Sequence, residues 1–244
     1  MTDLKILSAQ ELETMAEAGR EVAKWEQVLA KTGDNVVGEL LRTRDTFYQF
    51  DHCPPGDIYD RERHAQYYYH AHRPGEHGHF HTFLREKGIP EDCHPVDQSE
   101  ADYMKQRDDT YSHLIAISMD RKGLPIGLFT TNRWVTAENW YAADDVCAML
   151  DRFEIDHAQP SWPVNQWIGA MFRLFRPQIV ELVRERDAVV ADWQRRHPDR
   201  DVYEDRDLDL PSRIGISVDQ QISDVQTAMR HCHVNSVASA RRVL

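Results

Sequence analysis

At 244 residues, with 41% hydrophobic residues and six Trp, the chain is long enough to bury a core without covalent staples. A formal net charge of −12 argues against a nucleic-acid partner, which requires clustered Lys and Arg. The four cysteines (Cys53, Cys93, Cys147, Cys232) form no CxxC or disulfide pattern, no secretory apolar stretch opens the chain, and no run approaches the roughly 18 apolar residues of a membrane span. A cytoplasmic protein that avoids membranes is therefore expected.

Ser8-Ala9-Gln10-Glu11 is a capping box opening a helix to about Lys31, with Gly33 as its stop. A short helix over Asn35–Leu41 completes an N-terminal helical part, 8–44. His52-Cys53-Pro54-Pro55-Gly56-Asp57 reads as an irregular loop, because Pro and Gly punctuate regular structure. Two hairpins follow in a sheet core, 65–135. The first spans Ala65–His72 and His77–Leu84. The second runs from His113 to Asp120, turns at Arg121-Lys122-Gly123 and returns from Leu124 to Asn132. His113, Ile115, Ile117 and Met119 share a period-2 face expected to be core. Residues 85–110 read as loop or short helix. A helix capped at Thr136 is expected to reach Phe153, and Trp162–Arg196 to be helical, with either a kink or a division into two helices at Pro177. Leu208–Val218 is strand-like, Gln220–Arg230 a last helix, and the end around Arg241-Arg242 frayed, completing a helical C-terminal part, 136–244. The expectation is one α+β domain over 1–244: an antiparallel sheet of four or more strands packed by N- and C-terminal helices.

The most informative segment is Tyr68-Tyr69-His70-Ala71-His72-Arg73-Pro74-Gly75-Glu76-His77-Gly78-His79-Phe80-His81. With 13 histidines in 244 residues, a twelve-residue window should hold about 0.6; this one holds five. A strand alternates faces, so His70 and His72 share one, as do His77, His79 and His81. Closing a hairpin over Arg73-Pro74-Gly75-Glu76 pairs His72 with His77, His70 with His79 and Tyr68 with His81, bringing opposed Cβ atoms to about 5 Å. The opposite face, Tyr67, Tyr69, Ala71, Gly78, Phe80 and Thr82, is apolar or small and suits a core.

Neutral imidazole is the commonest nitrogen ligand of transition metals. His70, His72, His77, His79 and His81 are thus candidate metal ligands, with His70, His72 and His79 the compact triangle. Nitrogen ligands without thiolate favour Zn or Fe(II) over Ni, Co or Cu, and argue against Mg or Ca. Three ligands leave an open position and suit a metalloenzyme acting on a small molecule, by hydrolysis or with oxygen; four or five close the shell and suit a non-catalytic metal-binding or sensing protein. A metal-free histidine ladder on a structural protein is the third possibility.

Tyr68, on the histidine face, and Arg133, after the second hairpin, are candidate catalytic groups. Glu76 is a candidate base, although strand parity sets it opposite His77 and favours an ion pair with Arg73 across the turn. His52 and Asp57 precede the hairpin and can orient a ligating imidazole. Cys53, Cys93 and Cys232 each adjoin a histidine, a possible but widely dispersed thiolate site. No nucleophile elbow, phosphate loop, dinucleotide fingerprint or HExxH is present.

The blocks His52-Cys53-Pro54-Pro55-Gly56-Asp57-Ile58-Tyr59-Asp60, Tyr67 to His72 and Glu76 to Phe83, with the hairpin around Leu124–Val135, resemble an uncharacterised bacterial family defined by a domain of unknown function. An aromatic is expected at position 53 on that resemblance, where this chain has Cys53. The resemblance implies a bacterial cytoplasmic protein and carries no activity.

Overall fold

The computed structural model describes residues 3–42, 46–96 and 110–240. Six antiparallel strands form one meander, each strand pairing with the next in the chain: β1 (Cys53–Tyr59), β2 (Ala65–His70), β3 (Gly78–Arg85), β4 (Tyr111–Met119), β5 (Pro125–Phe129) and β6 (Arg213–Gly215). The helices are α1 (Ala9–Ala30), α2 (Val36–Leu41), α3 (Arg133–Thr136), α4 (Ala143–Met149), α5 (Trp162–Leu174), α6 (Arg176–Arg196) and α7 (Val218–Ala240). The fold is α+β, with helices before and after an antiparallel sheet.

Local chemistry explains most boundaries. Ser8 and Glu11 form a reciprocal capping box at α1, Gly33 takes φ 74° just beyond its end, and Asn35 caps α2 through the amides of Val37 and Gly38. The helical region after Trp162 is two helices, broken at Phe175, with Pro177 at the start of α6 where a missing N–H is harmless. The expected helix from Thr136 to Phe153 is not continuous: α3 starts on an Asn132 cap, Ala137 turns left-handed at φ 54°, and α4 begins only at Ala143. The last helix is longer than expected. Of the polar stretch 85–110, 97–109 lies outside the described residues, as do Arg241 and Arg242.

The segment expected as an irregular loop, His52 to Asp57, instead enters strand β1 at Cys53. Its prolines are tolerated because β1 is an edge strand, and Pro54 to Asp57 bulge between the Cys53↔Tyr69 and Ile58↔Tyr67 pairs.

The sheet's two faces carry different chemistry. On one, Tyr67, Tyr69, Phe80, Leu84, Ile115, Ile117 and Leu128 join residues of α1 and α5 in the main core, where Phe80 meets Trp167 at a ring separation of 5.9 Å. The Tyr67 hydroxyl donates to Asn165 Oδ1 (2.6 Å), so this wide face stays polar-satisfied. The other face carries the histidines. Residues 201–212 are tied to the segment after β5 by Thr130 N to Ser212 O, Asn132 N to Asp209 O and Asn132 Nδ2 to Val202 O.

Candidate metal centre

Antiparallel pairing of β2 with β3 sets His70 opposite His79 and Tyr68 opposite His81. Both rungs match the sequence expectation. His72 lies just past β2, and one ring nitrogen each from His70, His72 and His79 lies within 4.8 Å of the others, a group that can hold a metal ion. Ring centroids are 4.5 Å apart for His70–His79, 4.7 Å for His70–His72 and 5.0 Å for His72–His79. His81 adjoins them at 4.8 Å from His79 and 5.1 Å from His70.

His77 departs from the expected common face. It precedes β3, gives its N–H to Met119 O, and its ring turns to the core side, where Nδ1 is hydrogen-bonded to Tyr69 Oη at 2.7 Å. The reason is Gly78: a Cβ there would sit 2.5 Å from Tyr69 Oη, so only glycine lets the phenol pass and reach His77.

Burial sets the charge state. His70 is held down to about 2, first by desolvation and then by His79 and His72. Burial also lowers His72 and His79, the latter opposed by Glu76, and drives His81 well down. These imidazoles are neutral at pH 7, the form that ligates.

Glu76 is not paired with Arg73. Its Oε1 takes a short hydrogen bond from His79 Nδ1, while Arg73 makes a two-pronged bond to Asp209 at 2.8 and 3.0 Å. A carboxylate accepts only, so the proton of His79 sits on Nδ1 and its Nε2 lone pair points to the Nε2 of His70, 2.7 Å away. A carboxylate behind a histidine in this way orients metal ligands and raises their basicity. Strand parity missed the contact because the chain has left the strand at Gly75, whose φ is 90°.

A family model described as a domain of unknown function, DUF6969, matches residues 16–216. The chain belongs to this family. No curated protein and no solved structure matches it. The matched span of this DUF6969 chain holds the whole histidine cluster and the residues around it.

His113 joins the cluster face against expectation. Thr82 pairs with Ile115 but Phe83 with His113, leaving Leu114 as a bulge that reverses the parity of β4. The His113 Nε2 meets His81 Nδ1 at 3.0 Å, and Thr131 Oγ1 lies 3.4 Å from His113 Nδ1. Burial holds His113 down to about 3, and its backbone N–H donates to the buried Glu138, whose carboxyl burial pushes up to about 7. His81 Nε2 is buried and has no hydrogen-bond partner among the described residues.

The other singled-out residues divide. Tyr68 lies on the histidine face, edge-on to His70 at 5.2 Å, and burial pushes its phenol well up. His52 stacks flat on Tyr68 at 3.6 Å, meets His70 edge-on at 5.6 Å and bonds Asp57 Oδ1 through Nδ1 at 2.8 Å. Asp57 is held in turn by Gln66 Nε2 at 2.6 Å. Phe50 stacks on His72 at 5.2 Å. Arg133, a candidate catalytic group in the sequence, is fully buried at the start of α3 and paired with Glu204 and Asp201, outside the cluster. Cys53 is buried and donates to Leu40 O, and among the described residues no thiol belongs to a metal-binding group.

Proposed function

We propose that this protein binds a divalent transition metal through His70, His72 and His79, with Zn or Fe(II) ahead of Ni, Co or Cu. One observation carries the reading: three neutral imidazoles converge from a hairpin, and Glu76 fixes the His79 tautomer so that Nε2 faces His70. Tetrahedral ligands at about 2.0 Å from a metal lie roughly 3.3 Å apart. A metal held by both rings would take the place of the proton between His70 and His79, and their 2.7 Å Nε2–Nε2 contact would have to lengthen.

Three protein nitrogens leave a position open for water, O₂ or a substrate, which supports a small-molecule metalloenzyme over a closed storage site. Tyr68 and the Asp57-bonded His52 both lie edge-on to His70, and would be the neighbours of a metal that His70 held. The competing reading is a metal-free ladder, favoured by the same 2.7 Å hydrogen bond, which satisfies His70 and His79 without an ion.

Elemental analysis of protein made without a histidine tag separates the two. The expected result is a bound transition metal that is lost when His70, His72 and His79 are replaced together by Ala, with the circular dichroism of the fold retained. Metal at wild-type stoichiometry in the triple variant would overturn the ligand assignment.

A further inference from the structure

The register that sets Cys53 opposite Tyr69 carries on past the start of β1 along the histidine face. His52 reaches His70 at a ring separation of 5.6 Å, and Phe50 stacks on His72 at 5.2 Å. Two rings from one short segment therefore stand against two of the three candidate ligands. They also stand on the side from which a molecule can arrive. His79 is fully buried and His70 only 8% exposed, whereas His72 is half-buried and the His52 side chain is 42% exposed.

Both rings are fixed in place, and burial does not explain why. Phe50 has φ 67°, a left-handed conformation that bulky residues rarely adopt, and such strain gathers at functional sites. Its N–H is tied to Ala71 O at 3.2 Å, yet the side chain stays 69% exposed. The hydrophobic effect alone would draw a phenyl ring inward. His52 is held at Nδ1 by Asp57, 2.8 Å away, and on one face by Tyr68 at 3.6 Å, so its exposure lies on the side away from Tyr68.

We infer that the centre takes planar aromatic molecules, a reading that rests on the metal site proposed above. Phe50 and the outer side of His52 receive the aromatic ring, and a donor atom of the same molecule fills the position that three histidines leave open on the metal. Aromatic pairs gain from offset or edge-on contact beyond the area they bury, so a flat ring is chosen over a saturated one of the same size. Phe50 acts here as a specificity residue and makes no bond to the metal.

Titration of the full-length, tag-free protein loaded with cobalt(II) tests this, because cobalt reports its ligands through visible absorption. 1-Phenylimidazole and 1-cyclohexylimidazole offer the metal the same nitrogen, one with a flat ring and one with a saturated ring. The quantity read is the ratio of their affinities, compared between proteins so that differences in basicity cancel. That ratio is expected to fall about fivefold in Phe50→Leu, which keeps an apolar side chain but removes the flat face. It should hold in Trp162→Leu, which removes an exposed aromatic at the start of α5. A ratio unchanged in Phe50→Leu, an equal fall in both variants, or cobalt bands that neither imidazole alters would each overturn the aromatic site alone. Cobalt bands absent before any imidazole is added would instead overturn the metal reading, and this one with it.

Discussion

At the scale of single residues, the centre depends on where one proton sits. His79 Nδ1 is engaged by Glu76, which frees Nε2 for the cluster. Replacing Glu76 with Gln keeps an acceptor in place but removes its charge, and the amide can rotate to present a donor. The expected cost is about 10- to 100-fold in Zn affinity, by competition with a chromophoric chelator, with folding unaffected. Unchanged affinity would remove Glu76 from the centre. The histidines were legible before the fold was known, because period-2 spacing alone places His70 and His72 on one face. Glu76 was not, since parity holds only inside a strand and this residue lies in a turn. Arg133 was misplaced for another reason: its partners Asp201 and Glu204 are about 70 residues away in sequence, and no local pattern announces them.

At the scale of elements, turn and bulge chemistry decides which side chains meet. The main hairpin could be read because its register follows from face chemistry, and a slip by one residue would have scattered the histidines. The Leu114 bulge could not be read, because apolar alternation continues through Leu114 and Ile115 with no glycine to mark it. One omitted residue in the pairing therefore moved His113 from the expected core face to the side of His81. Strand β1 was hidden by prolines, which an edge strand accommodates. Gly78 is the point where this geometry is most exposed to mutation. A Cβ there would meet Tyr69 Oη at 2.5 Å and His70 O at 2.6 Å, and a backbone oxygen cannot step aside. Gly78→Ala is expected to destabilise the protein by about 1–3 kcal/mol in urea unfolding, with loss of the Tyr69–His77 contact. A change within about 0.5 kcal/mol would show that the two strands do not approach this closely.

At the scale of the molecule, the sheet divides the protein into an apolar core side and a face of buried imidazoles. That division has a pH signature. His70, His81 and His113 have folded values held below the ordinary 6.5 mainly by burial, so they stay neutral while the unfolded chain takes up protons below pH 6.5. Each costs about 1.4 kcal/mol of stability per pH unit of acidification in that window. Glu138 acts the other way: its value near 7 means the folded carboxyl keeps a proton that the unfolded one has lost, a contribution present at low pH and lost as pH rises through 7. Three imidazoles outweigh one carboxyl, giving a net loss of about 2 kcal/mol between pH 7 and 5.5 in chelator-treated protein. Urea midpoints at the two pH values measure it, and a midpoint that holds or rises at pH 5.5 would mean that these rings are not buried neutral. No helix among the described residues is long and apolar enough to cross a membrane.

Zinc titration of chelator-stripped, tag-free protein addresses the metal centre most directly, with the wild type run beside the His70→Ala/His72→Ala/His79→Ala variant. Stoichiometric uptake by the wild type and none by the variant is the expected pair of results. A wild type that takes up no zinc and no Fe(II), or a variant that takes up as much as the wild type, would contradict a metal centre on this hairpin.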